Sequence, residues 1–281
     1  MLTDDNAPDR VPGRREPSSP ICATSYFAEL AADSYGTGSE AAPLVLVHGL
    51  TYDRSTWGPA LTELGRIDPA RRVIALDLPG HGESPRRDSY RLAEIAPVLH
   101  EAITEAGLVD PVLVGHSLGA ALATYYAAHF PVLAVVNVDQ PLQVTGFADL
   151  LRQAEPALRG PDWATFWASM TGGMHIELLP PTARGLVESA KPRQDQLLGY
   201  WQELLDTPNA ELDQLRRAEL ATIAANGIPC HYVTGAEPPE PYRNWLTALV
   251  PDVRITVLPD SGHFPHLGDP AAFANLLNSI R

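Results

Sequence analysis

Gly115-His116-Ser117-Leu118-Gly119 lies between a short apolar run, VLV at 112–114, and LGAALATYYAAH at 118–129, which has the composition of a buried helix. This is the pattern G-x-S-x-G in a strand–turn–helix setting. The two glycines leave room for a sharp turn, from which the serine hydroxyl can project freely. The amides at the start of the following helix point towards the place where an oxyanion would form. The pattern therefore predicts that Ser117 is a nucleophile; the alternative is a serine that only caps the helix.

Similar apolar runs occur along the rest of the chain and alternate with helical stretches. The runs are LVLVHG (44–49), VIALD (73–77), VLVG (112–115), LAVVNVD (133–139), CHYVTG (230–235) and VRITVLP (253–259). Strands that are apolar throughout are buried on both faces, as in a parallel sheet covered by helices. The helices are predicted at 54–64, 92–106, 118–129, 241–249 and 271–280, after two weaker, antiparallel strands at 24–30 and 31–35. This alternation predicts an α/β fold with a doubly wound sheet.

One interval, between Asp139 and Cys230, lacks a convincing strand. A structureless loop of that length is improbable in a compact domain, and the apolar spacing suits helices. We therefore predict a helical cap at residues 141–225, over the C-terminal edge of the sheet. The core is predicted at 21–140 and 226–281. Residues 1–20, which mix charges with prolines, are predicted to be a disordered tail.

A serine hydroxyl is a poor nucleophile and needs a base, and the residues after the last predicted strand offer two histidines. The sequence there reads DSGHFPH, with His263 after a glycine and His266 after a proline. His263 lies just past the strand end, where its ring can reach back over the sheet edge. We predict that His263 is the base. His266 is its competitor, and packing or helix capping is the other role open to it.

The HG pair at the end of the first buried strand turns the chain so that a backbone amide can face the serine. We predict an oxyanion hole built from the N–H of Gly49 or Leu50 together with the N–H of Leu118. His48 itself is predicted to be a buried, hydrogen-bonded histidine rather than a second base. The tight loop at 77–84, on the same sheet edge, is predicted to have a structural role, with Asp77 as a hydrogen-bonding residue.

The composition describes an acidic globular chain. Of its 281 residues, 45% are hydrophobic and 19% charged, which is enough apolar material for a sizeable core. Lys and Arg number 20 and Asp and Glu 34, and the net charge of −14 repels nucleic acid and anionic membranes. Cys22 and Cys230 cannot form a disulfide framework or a Cys-rich zinc site. The N-terminus lacks the apolar core of a secretory signal, so a cytoplasmic location is predicted.

Four motifs, in this order and spacing, resemble the α/β-hydrolase superfamily: HG at 48–49, DLPGHGES at 77–84, GHSLG at 115–119 and SGHFPHLGDP at 261–270. The resemblance covers the chain from about Leu44 to its end, except for the cap. It implies an eight-stranded, mostly parallel sheet with a cap inserted after the sixth strand. It also implies a Ser–His pair completed by an acidic residue. It implies no particular substrate, since one fold hosts many activities.

The acid departs from the commonest pattern of that superfamily. Most relatives place an Asp a few residues after the seventh strand, where this chain reads TGAEPPE and offers only Glu237 and Glu240. After the sixth strand, Asp139-Gln140-Pro141 supplies a carboxylate, and some branches use that site. We predict that Asp139 holds the imidazole tautomer and stabilises the imidazolium. Glu237 is the alternative acid and Glu240 a more distant one, while Asp139 could instead only cap its loop.

A narrower resemblance is to the zearalenone-type lactonases, capped serine hydrolases that open a macrocyclic resorcylic lactone. It is carried by the D-x-P setting of the acid, by VTGAEPPE at 233–240 and by GHFPHLGDPAAFA at 262–274. In that group a cap tryptophan contacts the ligand, which implies this role for Trp201; packing of the cap onto the core is the alternative. Further cap residues are predicted to add flat and adaptable surface for an aromatic substrate: Trp163, Phe166, Trp167, Met170 and Met174.

These features together predict a hydrolase of a small hydrophobic ester or lactone, with a zearalenone-type macrolactone as the preferred hypothesis. The chemistry requires no metal and no organic cofactor. A general carboxylesterase or thioesterase is one alternative. Another is a small-molecule receptor that keeps the Ser–His pair but does not turn over its ligand. Neither nucleic acid nor a membrane is an expected partner, and the sequence leaves a homodimer open.

Overall fold

The computed structural model describes residues 24–281 of the chain. The predicted tail at 1–20 lies outside these residues, as does Cys22. None of the helices within the described range combines the length and the apolar character that a membrane span requires.

A single eight-stranded sheet forms the centre of the molecule. Its strands are β1 (Ser25–Phe27), β2 (Leu30–Tyr35), β3 (Leu44–Val47), β4 (Val73–Leu76), β5 (Val112–His116), β6 (Ala134–Val138), β7 (Cys230–Thr234) and β8 (Arg254–Val257). Their order across the sheet is β1-β2-β4-β3-β5-β6-β7-β8. β2 pairs antiparallel with β1 and β4, and every later pair is parallel. The predicted α/β architecture, with its antiparallel start, is confirmed.

Helices cover both faces of this sheet. Those of the core are α1 (Gly58–Ile67), α2 (Leu92–Glu105), α3 (Leu118–His129), α10 (Glu240–Leu249), α11 (Pro265–Gly268) and α12 (Pro270–Ser279), and a 3-10 turn at Arg54–Trp57 precedes α1. Alternate residues of the strands enter two apolar clusters. In β3, Val45 and Val47 pack with α2 and α3, whereas Leu44 and Leu46 pack with α1 and α12. Burial of both faces explains why these strands are apolar at every position.

Strand β8 departs from the sequence prediction. Its residues were expected to be buried on both faces, but Arg254 is exposed and the other three are only half-buried. β8 pairs only with β7 and forms the edge of the sheet, where helices cover it less completely. An apolar run therefore indicated a strand correctly but overstated its burial.

Six α-helices and a 3-10 turn at Ile176–Leu178 lie between β6 and β7, and we call the whole stretch between these strands the cap segment. The six α-helices are α4 (Thr145–Gln153), α5 (Glu155–Arg159), α6 (Trp163–Gly172), α7 (Pro181–Glu188), α8 (Gln194–Asp206) and α9 (Asn209–Ala225). Trp167, Tyr200 and Trp201 of this segment belong to the same apolar cluster as α2 and α3. The absence of a strand between Asp139 and Cys230 is as predicted, while the boundaries 141–225 of a separate cap stay a prediction.

Candidate active site

Ser117 occupies a sharp turn between β5 and α3. Its φ of 52° and ψ of −122° lie in a region that non-glycine residues rarely adopt, and its amide donates to Val138 O at 2.9 Å. A Cβ at Gly115 would lie 2.1 Å from Gly119 O, and a Cβ at Gly119 would lie 2.3 Å from Val47 O. Both glycines are therefore required by close backbone contacts, as the sequence pattern predicts.

His263 and Asp139 form a hydrogen-bonded pair. His263 Nδ1 lies 2.7 Å from Asp139 Oδ2, and both side chains are about one-fifth exposed. The other carboxylate oxygen, Oδ1, accepts a hydrogen bond from the Thr234 hydroxyl at 2.5 Å. His263 follows β8, Asp139 follows β6 and Thr234 is the last residue of β7, and these strands are neighbours in the sheet, which explains how distant parts of the chain meet.

Two backbone contacts fix the loop that carries His263. Its amide donates to Met174 O at 3.0 Å, and its carbonyl oxygen accepts from His116 Nε2 at 2.8 Å. The preceding Gly262 has a φ of 53°, and a Cβ there would lie 2.5 Å from Met174 O. The loop is thus held both by the cap segment and by the residue next to Ser117.

Ser117, Asp139 and His263 all line one cavity of about 540 Å³. Within residues 24–281 the Ser117 hydroxyl makes no hydrogen bond, so it is available to a base or a substrate. A hydrogen bond between a nucleophile and its base often tightens only when substrate binds. The structure therefore brings the three predicted residues to one site, and their catalytic roles remain a proposal.

The alternative acids lie elsewhere. Glu237 is 71% exposed and pairs with Arg243, and Glu240 is exposed in the first turn of α10. Neither belongs to the wall of the cavity within the described part of the chain. Asp139 is thus the carboxylate that contacts the histidine.

His266 is fully buried behind the site. Its ring packs against Trp57 and His116, with centroids 4.5 and 4.6 Å apart. Neither ring nitrogen has a hydrogen-bond partner within residues 24–281. Burial lowers the pKa of His266 to about 3, so the ring is neutral at physiological pH. These surroundings give His266 a packing role.

The predicted oxyanion residues surround Ser117. Leu118 is the first residue of α3, whose amide has no acceptor within the helix, and both Leu118 and Leu50 line the cavity. A Cβ at Gly49 would lie 3.2 Å from the Cβ of Ser117, so the Gly49 backbone passes directly beside the serine. The arrangement is suitable for binding an oxyanion, and that role stays a prediction.

His48 and the 77–84 loop support this edge of the sheet. His48 is fully buried; its Nε2 accepts from Leu78 N at 3.0 Å, and its Nδ1 donates to Gly49 O at 2.8 Å. Asp77 is also fully buried and accepts hydrogen bonds from the amides of Arg54 and Glu83. Both residues fix loops, as the sequence predicts.

The cavity wall is mainly apolar and aromatic. Of the cap residues singled out from the sequence, Trp167, Met170, Met174 and Trp201 line it. Trp163 and Phe166 do not belong to the wall within the described range. Trp163 lies one helical turn before Trp167 and packs against the apolar cluster that also contains Trp167 and residues of α2 and α3. Sequence reasoning did not assign three other large wall residues to the site: Tyr52, Phe147 and Tyr200.

Two charged wall residues were also missed, Glu203 of α8 and Arg216 of α9. Arg216 Nη2 lies 2.9 Å from Glu219 Oε1 and 3.9 Å from Glu203 Oε2. The only sequence signal was a charged pair three residues apart on the face of α9 that also carries Leu212 and Leu220.

No group of three or more His, Cys, Asp or Glu side chains within residues 24–281 is arranged to hold a metal ion. Cys230, the first residue of β7, is buried in an apolar cluster, and its burial raises the pKa of the thiol to about 12. A thiol with that pKa carries almost no thiolate at neutral pH, so Cys230 is unreactive.

Comparisons with known proteins agree with this architecture. The model of the Alpha/beta hydrolase family matches residues 44–276. "Putative carbamate hydrolase RutD" of Escherichia coli is 27% identical over 255 residues, which cover 86% of this chain and 92% of that protein.

Two solved structures superpose over most of this chain. "Est816 as an N-Acyl homoserine lactone degrading enzyme" has a TM-score of 0.69 at 19% identity, covering 90% of this chain and 97% of its own. The enol-lactonase from Burkholderia xenovorans LB400 has a TM-score of 0.68 at 16% identity, covering 92% and 99%. At such low identity these structures establish the shared fold alone.

Proposed function

This chain belongs to the alpha/beta hydrolase family, and from that premise we propose that it is a serine hydrolase of carboxylic esters or lactones. Ser117 is the nucleophile, His263 the general base and Asp139 the acid of the triad. The observation that carries the proposal is the 2.7 Å contact between His263 Nδ1 and Asp139 Oδ2 at the cavity that Ser117 lines.

The reaction follows from these positions. His263 Nε2 takes the proton of Ser117 as Oγ attacks the substrate carbonyl, and the amides of Leu118 and of Leu50 or Gly49 stabilise the oxyanion. Asp139 holds the Nδ1–H tautomer and stabilises the imidazolium. The imidazolium then gives its proton to the leaving alkoxide, which leaves an acyl-enzyme.

Water completes the cycle. His263 takes a proton from the water that attacks the acyl-enzyme, the acid is released, and Ser117 recovers its proton. In a lactone the leaving alcohol stays tethered to the acyl group, so the net result is ring opening.

For the substrate, we propose an uncharged aromatic macrolactone of the zearalenone type. A cavity of about 540 Å³ is within the range that encloses a drug-sized ligand, and its wall offers aromatic and methionine side chains. The position of the acid after β6 supports the same class by its resemblance to those lactonases. Trp201, which is buried in the wall, is proposed to contact the ligand.

Other acyl substrates are the alternatives. The RutD similarity favours testing carbamates, because a carbamate presents an acyl carbonyl to Ser117 as an ester does. Short-chain esters, thioesters and a receptor role without turnover are the remaining hypotheses.

A substrate panel tests the proposal. Purified protein is incubated with zearalenone, small lactones, aryl esters of graded length, an acyl thioester and an aryl carbamate, and products are followed by chromatography. We expect multiple turnovers on zearalenone and none by Ser117→Ala. Rapid turnover of short esters without opening of zearalenone would leave a general carboxylesterase. Binding of zearalenone without turnover would favour a receptor.

A further inference from the structure

The cavity wall carries a buried cation that the proposed mechanism does not use. The Arg216 side chain is 5% exposed and lies one turn after Leu212, another wall residue. Its Nη2 is 2.9 Å from Glu219, whereas its Nε has no hydrogen-bond partner within residues 24–281. A buried guanidinium N–H without an acceptor costs free energy, so a ligand that supplies an acceptor is favoured here.

Glu203, on the neighbouring helix α8, supplies the complementary group. Its Oε2 lies 3.9 Å from Arg216 Nη2, beyond the roughly 3.2 Å of a good N–H···O hydrogen bond. The Glu203 carboxylate accepts no hydrogen bond from the described residues, and both side chains line the cavity. A hydroxyl oxygen about 2.8 Å from each fits between them, because it accepts from a guanidinium and donates to a carboxylate.

The charge of this cluster favours a neutral ligand. One positive charge on Arg216 faces the carboxyl groups of Glu203 and Glu219. Burial raises the pKa of Glu219 to about 7, although Arg216 opposes the shift, so Glu219 is partly protonated at neutral pH. The carboxyl groups therefore offset the positive charge of Arg216, and the cluster offers an anion little net attraction. An anionic substrate group would be repelled by Glu203, whereas a hydroxyl would not.

The cluster lies along α3 from the nucleophile. Ala121 lines the cavity one turn after Ser117. Helix α9 packs against α3, and burial followed by the charges of Glu219 and Glu203 raises the pKa of Tyr125, one turn further on. At 1.5 Å per residue, the cluster is about 6–12 Å from Ser117 along the helix axis. An aromatic ring with a short linker spans that distance.

We propose that Glu203 and Arg216 form a hydroxyl-binding subsite, which selects uncharged esters or lactones that carry a phenolic or alcoholic hydroxyl away from the scissile carbonyl. This inference rests on the proposed hydrolase function and narrows its substrate class. The subsite acts on specificity, since it contacts the substrate far from the bond that is broken.

Matched ester pairs test the subsite. In the first pair, the para-hydroxyl or para-methyl group is in the acyl half of the ester: ethyl para-hydroxyphenylpropanoate and its para-methyl congener. In the second pair, this group is in the alcohol half: para-hydroxyphenylethyl acetate and its para-methyl congener. We expect the wild type to prefer the hydroxyl member of at least one pair by about tenfold in kcat/KM. Arg216→Met should reduce this preference to about one, because it should lower kcat/KM on the hydroxyl member more than on the methyl congener.

Arg217→Met is the matched control. Arg217 lies next in the sequence, is 46% exposed and pairs with Asp213, so its loss should leave the preference unchanged. If Arg216→Met does not fold, as judged by circular dichroism, Glu203→Ala gives the same readout, because it removes the acceptor of the hydroxyl proton. A para-carboxy congener should be hydrolysed more slowly than the methyl congener.

Equal rates on hydroxyl and methyl members in both pairs would overturn the subsite, as would a preference for the carboxy congener. An equal loss on both members in folded Arg216→Met would also overturn it, because that pattern indicates a structural role. If no ester is hydrolysed, the result contradicts the proposed hydrolase function and does not test the subsite. Calorimetry with para-ethylphenol and para-ethyltoluene then decides the subsite separately: tighter binding of the phenol supports it, and equal or absent binding overturns it.

Discussion

His263 Nδ1 lies 2.7 Å from Asp139 Oδ2, although 124 residues separate the two in the sequence. The contact forms because β6, β7 and β8 are parallel neighbours, so the segments that follow them meet at one edge of the sheet. Thr234, at the end of β7, donates to the same carboxylate. Three successive strand ends thus assemble the acid–base pair, and substitutions at each of them have distinct expected effects.

Asp139→Asn should lower kcat by about 10⁴ with the fold retained, because an amide cannot stabilise the imidazolium and favours the wrong tautomer. Glu237→Gln is the control, since Glu237 is exposed and pairs with Arg243, and its activity should stay within twofold of the wild type. Steady-state kinetics on an aryl ester measure both. A larger loss in Glu237→Gln would place the acid after β7.

Thr234→Val should lower kcat about tenfold with little change in KM, because it removes the hydrogen bond that orients Asp139. Thr234 is a positioning residue, so Thr234→Ser, which keeps the hydroxyl, should restore most of the activity. A purely structural role would instead make the two variants equally impaired, with similar losses in melting temperature.

His266→Leu should retain most of the activity, because His266 packs against Trp57 and contributes no proton to the reaction. In the same variant, the melting temperature should fall less steeply as the pH is lowered. The folded pKa of about 3 is below the ordinary value of 6.5, so the unfolded chain binds the additional proton. The neutral, buried His266 therefore makes its full contribution to the free energy of unfolding above about pH 6.5, and this contribution is lost as the pH falls towards 3.

Melting temperatures measured from about pH 7 down to about pH 4 compare His266→Leu with the wild type. We expect the wild type to lose more stability than the variant over this range. Some slope should remain in the variant, because burial also lowers the pKa of His116. Loss of activity in His266→Leu, with activity retained in His263→Ala, would move the base to His266.

Trp201→Ala should impair opening of a macrolactone at least tenfold more than hydrolysis of a short aryl ester, because Trp201 belongs to the cap side of the cavity wall, which a bulky ligand fills more completely than a short ester does. Trp163→Ala is the matched control, since Trp163 packs beside the cavity without forming its wall. Chromatography of lactone and acid gives both rates. Equal losses on the two substrates in Trp201→Ala would indicate that Trp201 serves only in packing.

Much of the core was predictable because its signals are local. The bounds of α3, 118–129, agree with the prediction, and both glycines of the serine turn are needed for backbone contacts that any strand–turn–helix of this kind makes. The six apolar runs all proved to be strands of one sheet. Burial of β8 was overestimated, because the edge position of a strand depends on the order of the whole sheet.

The cavity wall was less predictable because it depends on how helices pack. Trp163 and Trp167 lie one turn apart on the same face of α6, and of the two only Trp167 belongs to the cavity wall. The sequence does not show how far along the helix the cavity extends. Arg216 looked like an ordinary charge on a helix, and its burial follows from the packing of α9 against α3 and α4. Thr234 carried no signal, since its role requires the neighbouring strand that carries Asp139.

The central claim is that Ser117 is a nucleophile activated by His263 and Asp139, and covalent trapping tests it most directly. An uncharged aryl phosphonate ester is added to the wild type, Ser117→Ala, His263→Ala and Asp139→Asn, and adducts are mapped by mass spectrometry of peptides. We predict one adduct, on Ser117, formed rapidly in the wild type and at least a hundredfold more slowly in His263→Ala and Asp139→Asn. An adduct on another residue, or labelling of Ser117 at the same rate without His263, would contradict the account.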